Sequence, residues 1–182
     1  MTVMTMNHAR HALVVFAVVT GGSLASAQHP AMPAGMTHEE HQAQMKKDAE
    51  MKQRGAAAMG FDQDTTTHHF RLTRSGGAIE VGTNSADDSA GRDQIRAHLK
   101  EIAGEFAQGD FEKPLMTHAE VPPGAETMKR LAGKVRYTFE QSPRGGRVRI
   151  ETKDAAALSA VHDFLRYQIT EHATGDPLEV GK

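Results

Sequence analysis

The chain has 182 residues, with 21 Lys and Arg against 23 Asp and Glu, a formal net charge of -2, and neither Cys nor Trp. This length suits one domain with extensions, and the near-neutral charge gives no global attraction to nucleic acid or to an anionic membrane surface. Without cysteine there are no disulfides, so the folded part must rely on its apolar core.

The first 27 residues have the pattern of a secretory signal peptide. A weakly positive start precedes a short apolar run over residues 12–19, and Ala25-Ser26-Ala27 matches an A-x-A cleavage site. The sequence therefore predicts cleavage after Ala27 and a bacterial periplasmic or secreted protein. The apolar run is too short for a comfortable membrane span, so none is expected after cleavage; an uncleaved anchor is the alternative.

Residues 28–60 contain no Val, Ile, Leu or aromatic side chain. Ala, Met and Pro alone bury too little surface to offset the entropy lost on ordering, so we expect a flexible tail outside the core. Thr37-His38-Glu39-Glu40 has the form of a capping box. It predicts a transient, solvent-facing helix over about residues 38–54, not a packed one.

The same tail is rich in imidazole and thioether groups, which suit copper, and thioether favours Cu(I) in particular. The residues concerned are His29, Met32, Met36, His38, His41, Met45, Met51 and Met59. On a helix, three- and four-residue spacings place His38, His41 and Met45 on one face, which makes them candidate metal ligands. A low-complexity export tail with incidental Met and His is the alternative.

The globular domain, residues 61–173, begins with a predicted ββα unit. His68–Leu72 and Ala78–Val81 alternate apolar and polar residues on either side of Gly76-Gly77, which is typical of a β-hairpin. Apolar residues at helical spacing follow, namely Ile95, Leu99, Ile102 and Phe106. The connection over residues 109–133 contains three prolines, and Ala125–Leu131 suggests a short helix within it.

A second ββα unit repeats this pattern. Its strands carry Val135, Tyr137 and Phe139, then Val148 and Ile150, and its helix carries Leu158, Val161, Leu165 and Ile169. One hairpin with one helix has too little core to be stable alone. The two units therefore predict an α+β fold, a four-stranded, mostly antiparallel sheet with both helices on one face. Residues 174–182 are expected to fray.

The comparison of the two units indicates a candidate site. His68 occupies the inward position that Val135 holds in the second unit, and His98 occupies the position of Phe164. A buried imidazole is costly unless its polar atoms find a partner, and a metal ion is one such partner. Satisfied polar groups at the edge of the core are the alternative.

His118 lies in the long connection, which is able to fold back over this end of the sheet. Three neutral imidazoles bind Zn(II) or Cu(II) well and leave an open coordination position. We therefore predict a metal site of His68, His98 and His118, with Glu120 or His69 as auxiliaries. Because alternate residues of a strand face opposite sides, His69 is not expected to share an ion with His68.

The outward face of the sheet is predicted to be charged. It carries His69 together with four arginines, interrupted by Glu80, Glu140 and Glu151; the arginines are Arg71, Arg136, Arg147 and Arg149. Such a face is usually solvated, and its alternative role is to dock an anionic partner or a second copy of the chain. The absence of aromatic side chains on it argues against nucleic-acid binding.

Signatures of enzymes are absent from the sequence. There is no G-x-S-x-G, H-E-x-x-H or G-x-x-x-x-G-K-[ST] motif, no cysteine nucleophile, and no nucleotide or haem signature. The sequence therefore favours an exported, non-enzymatic metal-handling protein, with copper ahead of zinc. Two alternatives remain, an exported interaction module that uses the open sheet face and a small metal-dependent hydrolase.

Overall fold

The structure is a computed structural model that describes residues 35–181. The predicted signal peptide, with His29 and Met32, lies outside the described residues. Within them the helices are α1 (His38–Met59), α2 (Ser89–Ala107), α3 (Glu112–His118), α4 (Ala125–Arg130) and α5 (Ala155–Glu171). The strands are β1 (Thr66–Thr73), β2 (Gly76–Thr83), β3 (Val135–Ser142) and β4 (Gly145–Thr152).

The two hairpins form one antiparallel sheet with the strand order β1-β2-β4-β3. Strands β2 and β4, the second strands of their hairpins, pair at its centre, where Ile79 lies opposite Val148. Glycine permits this close pairing, because a Cβ atom on Gly76 would lie 2.1 Å from the carbonyl oxygen of Ile150. The predicted glycine pairs thus begin the central strands, and the residues just before them make the turns.

Helices α2 and α5 pack on one face of the sheet, as the sequence predicted. Helix α2 lies mainly over β3 and β4, whereas α5 lies mainly over β1 and β2. Each helix therefore covers the strands of the other unit, which explains why neither unit buries its apolar face alone. Among residues 35–181, no helix has both the length and the apolar character needed to cross a membrane.

Helix α1 is longer than the sequence predicted, and its C-terminal half is packed. The capping box between Thr37 and Glu40 is present. Met51 is only 6% exposed, and Arg54 Nε donates a hydrogen bond to the carbonyl oxygen of Thr117 at 3.1 Å, which joins α1 to α3. The prediction of an unpacked helix is therefore wrong for the C-terminal half of α1. Although α1 has no Val, Ile or Leu, the flexible side chain of Met51 adapts to the irregular surface on which the helix packs.

The segment after α5 runs along the edge strand β1, where the sequence led us to expect fraying. The carboxylate of Asp176 accepts hydrogen bonds from the backbone nitrogen of Phe70 at 2.9 Å and from His69 Nδ1 at 3.0 Å. Further along, the backbone nitrogen of Gly181 donates to the carbonyl oxygen of Leu72 at 3.2 Å. An edge strand leaves backbone groups without sheet partners, and this segment satisfies some of them.

The long connection contains two short helices, where the sequence predicted one. Helix α4 matches the prediction, but α3 was not foreseen because its hydrophobic pattern is inverted. Leu115 and Met116 are 40% and 55% exposed, whereas Thr117 and His118 are buried. As a result α3 directs polar side chains toward the interior of the protein.

Candidate functional site

Four histidines line one cavity between the sheet and the helices. His68 belongs to β1, His98 to α2 and His118 to the last turn of α3, while His172 directly follows α5. The cavity offers about 60 Å³ to a water-sized sphere, enough for one ion or a few water molecules. Its remaining walls are mostly apolar.

Three of these rings lie in a row. The ring centroids of His68 and His172 are 5.8 Å apart with an interplanar angle of 11°, and those of His118 and His172 are 5.1 Å apart at 85°. Two imidazoles that bind one ion at ordinary Zn–N lengths have their centroids on the order of 5 Å apart. The spacing of His172 from His68 and that of His172 from His118 are therefore each compatible with two ligands of one ion.

His98 is linked to the other histidines by Phe61, whose ring lies near those of His68 and His98. The centroid of Phe61 lies 5.9 Å from that of His68, with the rings stacked, and 5.6 Å from that of His98, with the rings edge to face. The two histidines that the repeat singled out thus contact the same phenyl group. His172, which the sequence analysis did not include, is the more direct neighbour of His118.

Two of the ring nitrogens are buried without a hydrogen-bond partner, namely His68 Nε2 and His118 Nδ1. The other nitrogen of the second ring, His118 Nε2, lies 3.1 Å from Gln168 Oε1. Because that amide oxygen accepts, Nε2 carries the proton and the Nδ1 lone pair is left without a donor. Unsatisfied buried polar atoms are rare and costly, so these two nitrogens call for an explanation, and a ligand bound in the cavity is one.

Burial holds these histidines in the neutral form. It lowers the pKa of His68 and of His98 from 6.5 to about 4, with Lys113 adding to the effect on His98. It lowers the pKa of His172 to about 3, helped by the neighbouring rings of His68 and His118, and it also lowers the pKa of His118. Neutral imidazole is the form that binds metal ions, so at neutral pH the ligands are ready without loss of protons.

Backbone strain accompanies two of the cavity histidines. Ala119 directly follows His118 and has φ 58°, and Ala173 directly follows His172 and has φ 47°. Among residues 35–181 these are the non-glycine residues in the left-handed region, which costs roughly 1–2 kcal/mol for an alanine. Strain of this kind clusters at functional sites, where the surrounding structure enforces it.

The structure places the remaining predicted ligands elsewhere. The carboxylate of Glu120 accepts a hydrogen bond from the Tyr167 hydroxyl at 2.5 Å. His38 interacts with Gln42 one turn along α1 at 3.0 Å. The other two predicted tail ligands, His41 and Met45, also lie in α1, whereas Met59 is the residue of this helix that lines the cavity. His69 faces the opposite side of the sheet, as its strand position predicted.

The sequence contained a signal for His172. The apolar face of α5 follows steps of four through Val161, Leu165 and Ile169, and one further step of three reaches His172. Gln168 likewise lies three residues after Leu165. Extending the helical face by one turn past Ile169 finds His172, whereas Gln168 lies within the face beside Ile169.

The cavity does not hold a finished coordination sphere. Within residues 35–181, no three His, Asp or Glu side chains are already arranged to hold an ion. The imidazoles approach one another without a common coordination point, so binding requires them to rotate about their side-chain bonds. Two of their nitrogens have no hydrogen bond that such a rotation would break.

The arginines of the outward sheet face pair with carboxylates on the same face. Arg147 lies 2.6 Å from Glu140, Arg149 lies 3.3 Å from Glu140, and Arg71 lies 3.3 Å from Glu80. These ion pairs neutralise part of the positive charge that would attract an anionic partner. Docking through this face, which also includes Arg136, stays a prediction.

The site can thus be described as a small, neutral cavity rich in imidazole, with a buried amide and a thioether in its walls. Imidazole and thioether are groups that bind soft or borderline metal ions. Comparisons with protein-family models, with curated proteins and with solved structures find no match.

Proposed function

We propose that this protein is a non-enzymatic metal-handling protein that holds one transition-metal ion, copper ahead of zinc, in the histidine cavity. The observation that supports it is the row of His68, His172 and His118, two of which have a buried ring nitrogen without a partner. A bound ion gives both nitrogens a partner and removes their desolvation cost.

Binding and transfer fit the cavity better than hydrolysis does. A metal-dependent hydrolase needs a metal-bound water and a general base within hydrogen-bond reach. Among the described residues, the lining of the cavity contains no Asp or Glu. His38, His41 and Met45 of α1 fit the capture of an ion before its transfer to the cavity. Action in the periplasm stays a prediction that depends on the signal peptide.

The proposal is tested by titrating the purified protein with Cu(I) under anaerobic conditions, with Cu(II) and with Zn(II). We expect stoichiometric binding of one ion at sub-micromolar concentration. His68→Val copies the equivalent residue of the second unit, and His118→Gln and His172→Gln keep polarity but lose the imidazole. Each change is expected to weaken binding by at least about tenfold.

His162→Gln is the matched control. His162 lies outside the cavity, and its Nε2 atom donates to the Thr73 carbonyl oxygen at 2.9 Å, a bond that a glutamine amide can keep. This variant should bind the ion as the parent does. The proposal fails if no ion binds above the background of an unrelated protein, or if the three cavity variants bind as well as the control.

A further inference from the structure

The charges around the cavity bear on the oxidation state of the ion. Among the described residues, the lining contains imidazoles, one amide, one hydroxyl, one ammonium and apolar side chains, but no carboxylate. Neutral imidazoles compensate none of the charge of the ion that they bind. Since the cost of burying an ion rises with the square of its charge, a dication is about four times as costly as a monocation in the same cavity.

Lys113 adds to this discrimination. It lines the cavity from α3, five residues before His118. Its ammonium group contacts Glu105 and lies 3.3 Å from a carboxylate oxygen of Glu101, so it pairs with the charges of two carboxylates behind the cavity wall. Without this pairing the two carboxylates would attract a dication twice as strongly as a monocation at the same distance.

Met59 supplies a soft ligand at the same place. It is the last residue of α1 and lines the cavity. Gly60 then takes a left-handed conformation with φ 76°, which turns the chain so that Phe61 reaches the rings of His68 and His98. Thioether sulfur favours Cu(I), whereas Zn(II) and Cu(II) gain more from nitrogen and oxygen ligands.

From these three observations we infer that the cavity selects monovalent copper, bound by the imidazoles of His68, His118 and His172 with the Met59 thioether as a further ligand. This inference rests on the proposed function and specifies its cargo. Helix α1 thereby belongs to the site, because it contributes Met59 to a cavity whose imidazoles come from β1, from α3 and from the residue that follows α5.

The test compares Cu(I) with Zn(II), which share a closed d¹⁰ shell, so that charge and softness are the variables. Affinities are measured under anaerobic conditions by competition with a colorimetric chelator for each ion. The parent protein is expected to bind Cu(I) more tightly than Zn(II). Met59→Leu should weaken Cu(I) binding by about tenfold with little effect on Zn(II), because it removes the sulfur and nearly keeps the volume.

Two charge variants test the electrostatic part. Gln168→Glu keeps the oxygen that accepts from His118 and adds a carboxylate to the lining, and Lys113→Gln removes the positive charge. Both should raise the affinity for Zn(II) relative to Cu(I), by about tenfold or more. Met116→Leu, on the exposed side of α3 at 55% exposure, is the control for methionine replacement. Circular dichroism of each metal-free variant verifies folding.

The outcomes separate the two levels of the proposal. If Zn(II) binds the cavity at least as tightly as Cu(I), or if Met59→Leu binds Cu(I) as well as Met116→Leu, the selectivity is refuted and metal binding still stands. If neither ion binds, the proposed function and the selectivity are both refuted. A rise in relative Zn(II) affinity in both charge variants, with loss of Cu(I) in Met59→Leu, supports the inference.

Discussion

Acidification between pH 7 and pH 5 should destabilise the metal-free protein through the cavity histidines. Burial lowers the pKa of His68 and of His98 in the folded state to about 4, against 6.5 for the exposed side chain. Below pH 6.5 the unfolded chain therefore binds protons that the folded chain excludes, and the free energy of unfolding falls as the pH falls. This stability is fully present above about pH 6.5 and is lost as the pH approaches 4.

The expected size follows from the shifted pKa values. At pH 5 the unfolded-state pKa lies 1.5 units above the pH, and each unit corresponds to about 1.4 kcal/mol, so one such ring destabilises the fold by about 2 kcal/mol. His68 and His98 together contribute about 4 kcal/mol if they act independently. Domains are stable by only about 5–15 kcal/mol in total, so the effect is large enough to measure.

The assay is urea unfolding followed by circular dichroism at pH 7 and at pH 5, with a chelator present to keep the protein free of metal. His98→Phe copies the equivalent Phe164 of the second unit and removes one titrating ring. Its loss of stability between the two pH values should be smaller than that of the parent by about 2 kcal/mol. His38→Gln, on the exposed surface of α1, should leave the loss unchanged.

Two results would refute this reasoning. The first is a parent protein that is equally stable at pH 7 and pH 5. The second is a His98→Phe variant whose stability depends on pH as strongly as that of the parent, since the cavity rings would then not be the groups that resist protonation.

Three further predictions concern the scaffold. Asp176→Ala removes the acceptor of the Phe70 amide and should lower the free energy of unfolding by about 1–3 kcal/mol, with faster amide exchange at Phe70; unchanged exchange there would contradict the docked segment. Phe106→Ala, at 1% exposure, should cost about 3–5 kcal/mol in urea unfolding, and a loss below that of a surface variant would contradict its core position. Glu140→Gln breaks exposed ion pairs with Arg147 and Arg149 and should change the free energy of unfolding by less than about 1 kcal/mol. A large drop in melting temperature would contradict the view that these pairs are ordinary solvated surface pairs.

The sheet and its two main helices were predictable because their side chains obey simple periods. Alternation through Phe70 and Leu72 determines which face of β1 is buried, and the repeat at Val148 and Ile150 does the same for β4. The helical spacing of Ile95 and Leu99 is equally clear. In these elements burial and periodicity agree, so the local pattern is sufficient to deduce the packing.

The elements that escaped prediction are those in which the pattern and the burial disagree. Helix α3 exposes Leu115 and buries His118, which reverses the usual rule. Helix α1 packs through Met51, although it has no branched or aromatic residue to suggest a core. The segment after α5 is held by hydrogen bonds that the Asp176 carboxylate accepts, and hydrogen bonds between distant residues leave no periodic pattern in a sequence.

The candidate site could be predicted in part, because two of its histidines interrupt the pattern of the repeat. The repeat revealed His68 and His98, because each stands where the other unit has an apolar residue. His118 was placed near them only by the length of its connection. His172 lies beyond the last apolar residue of its helix face, and the comparison of the two units pairs it with no apolar residue. Its position beside His118 depends on how α3 and α5 pack together, which the sequence pattern does not give.

The alanines that follow His118 and His172 suggest how the cavity changes shape. Each ends a helix in a conformation that disfavours alanine, with φ 58° at Ala119 and 47° at Ala173. A change of backbone conformation at either alanine would relieve that cost, and it would also move the imidazole of the preceding residue. If an ion binds, we therefore expect His118 and His172 to move toward it more readily than His68, which the paired strand β1 holds in place.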